Sequence, residues 1–294
     1  EMSASLVGSE MCIRDSVKDA VSTYSDFNQA MANTSAIAGA NEEQMKKLEN
    51  AALEMGKKTT KTATEASEAL GYMALAGWDV DTSIASLEPV LRLSEATQMD
   101  LATCSDLVTD SMSALGLTAD QLTDYLNVTC QANNKSNTTA QALMEAMIGC
   151  GGAAKSAGMD YKQTAAALGI LANNGVKGAE AGTALNSMLV RMTTKDVAQK
   201  AFKELGVSIY DSSGQMRNMQ DILVELNGAM SGLTQEQKNN YMSAIAGTNY
   251  YTQFGYLLEG VKEGADGAAS TWTSLTEAFD NSDGALMNLS LIHI

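Results

Sequence analysis

Histidine occurs once in the 294 residues, at His293, so the chain ahead of it lacks the side chain most used as a neutral-pH base and as a metal ligand. Without it the many serines and threonines have no usual partner for nucleophilic catalysis, and no Gly-x-Ser-x-Gly elbow is present. Basic charge is also scarce: 19 Lys and Arg face 35 Asp and Glu, a formal net charge of -16. Such a surface repels a phosphate backbone, and no basic run or aromatic series offsets it, so direct nucleic-acid binding is not expected. No apolar run reaches the roughly 18 residues of a membrane span; the nearest, "AMIGCGGAA" at 146–154, is short and rich in glycine. The four cysteines, Cys12, Cys104, Cys130 and Cys150, show no CxxC spacing and no adjacent histidine. Neither a disulfide framework nor a zinc site is expected, and no cofactor; the thiols read as small buried hydrophobes on helices.

Both ends differ from what lies between them. "SASLVGSEMCIRDS" near the start and "LSLIHI" at the finish resemble translated sequencing-adapter read-through. The resemblance implies a gene fragment whose first 16 and last 6 residues are artefactual, and these are set apart from fold reasoning. The leader residues Glu1, Glu10, Arg14 and Asp15 contribute -2 of the -16, leaving -14 on the remainder. Cys12 and His293 fall in the excluded ends, so three cysteines and no histidine remain.

What is abundant favours helix. A single proline, Pro89, and plentiful Ala, Met, Leu, Gln, Glu and Lys accompany only 5% aromatics, while 45% hydrophobic content suffices for a core. In "EEQMKKLENAALEMG" the positions Met45, Leu48, Ala52 and Met55 make one stripe, and Gly56 stands where a C-cap glycine would. Thr62 and Glu65 have capping-box spacing ahead of a helix that stops at Gly77. Asp81 is placed to cap a helix through "SIASLEPVLRLSEAT", kinked or divided at Pro89. Asp100 is placed to cap "LATCSDLVTDSMSALG", whose buried face is Leu101, Cys104, Val108, Met112 and Leu115. Further starts are read at Thr118 with Gln121, Thr138 with Gln141, Asp160 with Gln163, and Thr234 with Gln237.

One segment breaks this grammar: "GVSIYDSSGQMR", from Gly206 through a turn at Asp211–Gly214, alternates and predicts a small β-hairpin near 206–217. The expected fold is therefore mainly α, a multi-helix bundle with short capped connections and one small hairpin, divided into helical regions 17–116 and 117–288. A faint echo links 76–112 to 157–189: each runs Ala-Gly, an aspartate, a helix, a turn and a second helix.

The stretch "NNGVKGAEAGTALNSMLVRM" at 173–192 tests a phosphate-loop reading and fails it. Thr183 follows Gly182 with no lysine between, no strand precedes, and the spacing of Gly175, Gly178 and Gly182 is not GxGxxG. A close helix crossing explains more: Gly175 ends one helix, and Gly182 lies inside the next beside Leu185 and Leu189. Glu145, on the apolar "ALMEAMIG", is a candidate raised-pKa acid whose blander reading is an edge position. Asp79 and Asp81 beside Trp78 lack the further oxygen ligands of a calcium loop and read as caps.

Over residues 24–288 the chain resembles the conserved region of phage tail tape measure proteins. The likeness rests on "LENAALEMGKKTTKTATEASEALGYMALAGWDVDTSIASLEPVLRLSEAT", where that family has a helix, a Gly-x-x-Thr turn (here Gly56 to Thr59) and an Ala-rich helix ending at Ala-Gly. It continues in the glycine block at 173–192, in "LGVSIYDSSGQMRNMQDILVEL" and in "AIAGTNYYTQFGYLLEG". Thr194 and Lys195 stand where that family often has proline, and Ala246-Gly247 replaces its usual Phe-Gly. The resemblance implies a structural virion protein of the tail lumen, made in the bacterial host cytoplasm, around which tail-tube subunits assemble and whose length sets tail length. It implies tail tube, tail tip and tail chaperone proteins as partners, with self-association. Its signature positions here would be Gly56, Thr59, Gly77, Asp81, Gly175, Gly178, Gly182, Thr183, Leu185, Gly206, Gly214 and Gly247. Two alternatives stand beside it: a secreted or surface helical interaction protein, and the non-catalytic part of a tape measure protein carrying a cell-wall hydrolase elsewhere.

Overall fold

The computed structural model describes residues 3–264 and 267–288, with side chains from Ala20 onward. The expected artefactual tail with His293 lies outside the described residues, as do the side chains of the expected leader, Cys12 included. The described residues are mainly helical and divide into two compact units, one of residues up to 94 with 100–106, the other of 95–99 with 107 onward.

The first unit holds α1 (Ser3–Ala38), α2 (Glu42–Lys58), α3 (Ala63–Leu75), most of α4 (Val80–Thr97) and the start of α5 (Leu101–Leu115). Helix α3 packs against both α1 and α2. The stripe on α2 buries Leu48, Ala52 and Met55, and α1 contributes Phe27, Met31 and Thr34, whose hydroxyl donates to the Ser67 carbonyl at 2.8 Å. Pro89 lies inside α4, which continues unbroken past it. The expected buried face of α5 is borne out at Leu101, Cys104, Val108, Met112 and Leu115.

Helix ends follow a short grammar. Thr62 with Glu65 and Thr234 with Gln237 form the expected reciprocal boxes, at Thr118 the Gln121 side chain accepts from the Thr118 N–H at 3.1 Å, and Asp100 and Asp160 accept from the backbones of Thr103 and Gln163. Three ends correct the expectation. Helix α2 runs two residues beyond Gly56 and stops at Thr59, whose hydroxyl donates to the Met55 carbonyl at 2.9 Å. Gly56 is there for proximity: a Cβ would lie 2.9 Å from the Ala63 nitrogen. Helix α4 is capped by Asp79, which accepts from the Thr82 N–H at 2.8 Å and its hydroxyl at 3.0 Å, so Asp81 sits inside the first turn instead. The helix after Ser136 starts from Thr139, which accepts from Ala142 N–H at 3.1 Å, one residue later than Thr138.

The second unit holds α6 (Leu122–Lys135), α7 (Ala140–Ser156), α8 (Tyr161–Asn173), α9 (Gly178–Thr194), α10 (Asp196–Glu204), α11 (Met219–Met230), α12 (Gln235–Ala246), α13 (Tyr251–Gly260) and α14 (Thr271–Asp280). Its centre is α8, which packs against α6, α7, α9, α13 and α14. The run Thr164–Ala172 is buried on every face, the pattern of a helix enclosed by others. Small residues make this possible: Ala165, Ala166, Ala167 and Gly169 leave room for large neighbours such as Trp272, Phe254 and Phe279, all buried. The four phenylalanines of the chain, Phe27, Phe202, Phe254 and Phe279, are all core residues.

The expected β-hairpin is not formed; among the described residues there is no strand. Between α10 and α11 the chain makes a turn closed by one antiparallel bridge, Tyr210 with Met216. The arms are too short for a ladder. Val207 N–H still closes α10 on the Phe202 carbonyl, and Asn218 already caps α11, leaving only Ile209–Arg217 and Asp211–Gln215 backbone bonds between them. The Asp211 carboxylate takes the N–H groups of Ser213 and Gln215, which locks the turn without strand pairing.

Candidate interaction surface

Helices α7 and α9 are the most extensively packed pair of the second unit, and Gly182 is the reason they approach so closely. A Cβ at Gly182 would lie 2.3 Å from the Ala146 carbonyl oxygen and 2.9 Å from its Cα, and a Cβ at Gly149 would lie 3.4 Å from the Gly182 Cα. This is the helix crossing expected from the glycine block. Gly178 opens α9 with φ +56 beside the Glu145 carboxylate, and Gly175 follows the end of α8 with φ +88. Leu185 is buried in the crossing; the Thr183 hydroxyl donates back to the Ala179 carbonyl at 2.8 Å, so it is a helix-bound hydroxyl on an exposed face. Glu145 occupies a half-buried edge and accepts from Gln141 at 2.9 Å.

The last turns of α9 carry a cleft on each flank. On one side the turn from Gly247 to Tyr250 and α9 enclose ≈ 420 Å³. Gly247, at φ +92, ends α12 against the Arg191 side chain, and Arg191 Nε donates to the Ala244 carbonyl at 3.1 Å, tying α9 to the end of α12. On the other side α9, the end of α7 and the 210–216 turn enclose ≈ 690 Å³, with Gly158 and Gly214 in its wall. Gly206 lies just ahead of that turn at φ +71. The structure thus gathers Gly178, Gly182, Thr183, Leu185, Gly214 and Gly247 on or beside α9. Gly56, Thr59, Gly77 and Asp81 belong to the first unit, where Asp81 pairs with Lys47 at 3.7 Å.

The nucleophile candidates are occupied or sealed. Cys104, Cys130 and Cys150 are buried, as expected, and burial pushes the thiols of Cys130 and Cys150 up to about 12. Tyr125 is likewise raised by burial; its hydroxyl donates to Ser111 at 2.7 Å, and Ser111 donates to the Leu107 carbonyl at 2.6 Å. Asp79 is held below the usual carboxylate range by the Thr82 N–H and hydroxyl, the signature of a cap.

A sequence model described as Phage-related minor tail protein matches residues 49–247, which contain every signature position named above. The chain belongs to the phage-related minor tail protein family. Among curated relatives in this family's field, the "Tape measure protein" of Pneumococcus phage Dp-1 is 33% identical over 266 residues, covering 90% of this chain and 22% of the relative. The "Probable tape measure protein" of Escherichia phage P2 is 29% identical over 271 residues, covering 90% of this chain and 32% of the relative. The chain therefore spans between about a fifth and a third of the length of these two relatives. No solved structure matches it.

Some contacts that shape this minor tail fold were not foreseen from the sequence. Arg217 grips Glu225 with both of its terminal nitrogens and donates to the Ser208 carbonyl at 2.9 Å, clamping the turn onto α11. The Tyr125–Ser111 node and the Arg191–Ala244 tie are similar. Each joins residues that only tertiary folding brings together, so no local spacing announces them.

Proposed function

We propose that this chain is a folded, non-catalytic segment of a tape measure protein that acts in tail assembly and tail length determination. It works in the lumen of the virion tail after synthesis in the bacterial host cytoplasm, and its surfaces meet tail tube, tail tip and tail chaperone proteins and further copies of itself. The observation that carries the reading is the family match from 49 to 247, a range that takes in the glycine block, the 206–217 turn and Gly247. The geometry fits a scaffold: the signature glycines serve helix ends and a close crossing, and the reactive side chains are buried or engaged by the backbone.

The test uses the phage or prophage that carries the gene. Purified tails are searched by mass spectrometry for peptides from residues 49–247, and tails from a strain deleted for the gene are imaged by electron microscopy. Peptides in the tails, with loss of normal tails on deletion, are expected. Tails of normal length made without the gene overturn the assembly role, and peptidoglycan cleavage by the purified chain overturns the non-catalytic reading.

A further inference from the structure

The two clefts flanking α9 share Asn186 and Val190, and the second meets a third, of ≈ 390 Å³ beside the end of α10, at Tyr210. The three form one continuous belt on the second unit. Its walls carry four cations, Lys155, Arg191, Lys195 and Lys203, and no carboxylate. In a chain with 35 acidic against 19 basic residues, the belt inverts the charge of the molecule. Among the described residues the four belt cations have no ion pair, whereas Lys46 pairs with Glu42, Lys162 with Asp280 and Lys200 with Glu204. Asp211 is close in sequence to the belt, but its carboxylate is turned into its own loop by Ser213 and Gln215. Two apolar side chains stand out along the belt, Val190 at 43% and Tyr210 at 37% exposure.

We propose that this belt is a docking surface for an acidic polypeptide segment that also lays apolar side chains on Val190 and Tyr210. The inference rests on the assembly role above and gives the chemistry of one partner. Unpaired cations around apolar anchors favour an acidic helix or strand through complementary potential, which steers encounter and fixes register. A nucleic-acid backbone is the other large polyanion, but it carries no aliphatic side chains to lay on Val190, 43% exposed between two of the clefts.

The test is fluorescence anisotropy of the purified 294-residue chain with three labelled probes: a peptide of glutamates with leucine every third or fourth position, the same peptide with lysine for glutamate, and single-stranded DNA. The glutamate peptide binds, more weakly as salt rises from about 50 to about 300 mM, the DNA does not, and any binding of the lysine peptide to the acidic surface is not weakened by charge reversal in the belt. Lys155→Glu with Lys195→Glu weakens it about ten-fold or more, whereas Lys46→Glu with Lys57→Glu changes it less than about two-fold. All four lysines are exposed, so circular dichroism is expected to show unchanged folding in both variants. Absence of glutamate-peptide binding, equal loss in both double variants, or tighter binding of DNA overturns the proposal. Such a failure, with the chain's peptides still present in purified tails, removes this surface and leaves the assembly role standing.

Discussion

Gly175 and Gly182 are seven residues apart and are needed for different physical reasons, which substitution separates. At Gly175 the backbone has φ +88 with open space around the missing side chain, so Gly175→Ala meets only the left-handed backbone penalty, about 1 kcal/mol. At Gly182 the backbone is helical, where alanine is intrinsically preferred, but a Cβ would lie 2.3 Å from a buried carbonyl oxygen on α7. Neither helix can yield without losing packing, and Gly182→Ala is expected to cost about 2–3 kcal/mol. Urea unfolding of the two variants checks the order; a larger loss at Gly175 would contradict the crossing. The buried thiols give a second prediction. Cys130 and Cys150 move from an ordinary 9.0 to about 12, so the folded chain holds their protons more tightly than the unfolded chain. Their stabilising contribution is complete below pH 9 and is lost as pH rises through the folded value. In a Cys12→Ser background, a thiol reagent at pH 8 is expected to find no reactive cysteine until urea is added, and the urea midpoint is expected to be lower at pH 10 than at pH 8.

At the scale of the element, a three-residue join recurs. The N–H after a left-handed glycine returns to the carbonyl five residues back, as in Trp78 to Met73, Leu117 to Met112, Met159 to Ala154 and Val176 to Leu171. In the first three the next residue, Asp79, Thr118 or Asp160, starts the following helix. This accounts for the echo between 76–112 and 157–189 without a tertiary repeat: both begin with the same stop and start. The caps are separable by mutation. Thr139→Ala is expected to cost about 1 kcal/mol and Thr138→Ala less than about 0.5 kcal/mol, because only Thr139 accepts from the α7 backbone; equal losses in denaturant titrations would return the cap to Thr138. Much of the helical order was legible in the sequence because these signals are local. The enclosed α8 was readable as a helix in "AAALGILANN", and the crossing was readable at Gly182. Exact starts were less legible: of the two aspartates read as caps only Asp79 accepts from the helix backbone, and the start read at Thr138 falls at Thr139. The hairpin was overread because alternation at Val207 and Ile209 marks two core anchors on a turn as well as it marks a strand. The cation belt was invisible for another reason: Lys155 lines one cleft, Lys195 a second and Lys203 a third, and only folding sets these clefts side by side.

The whole molecule carries two pH responses of opposite sign. A net charge of -16 and a pI near 4.4 mean that self-repulsion opposes the compact state at pH 8 and relaxes as pH falls toward 5. Against this, Asp79, Asp100 and Asp211 are held below their ordinary 3.8, first by the Thr82 N–H, the Thr103 N–H and the Ser213 hydroxyl respectively. A depressed folded value favours the ionised carboxylate in the native chain. That contribution is present above the unfolded value and disappears as pH falls through the folded one, when the caps and the 211–215 turn lose their charged acceptor. Stability is therefore expected to rise from pH 8 to about 5 and to fall again below 3.8, a maximum on the acidic side of neutrality. Salt separates the two causes. Added sodium chloride screens repulsion between exposed carboxylates and is expected to raise the urea midpoint at pH 8, with much less effect near pH 5, where little net charge remains. A midpoint indifferent to salt at pH 8 would show that acidic charge does not limit this fold, and one higher at pH 3 than at pH 5 would show that the ionised caps do not support it. The same screening weakens any partner held at the cation belt, so salt that steadies the free chain is expected to loosen its complex, a divergence that stability and binding curves on one preparation make visible.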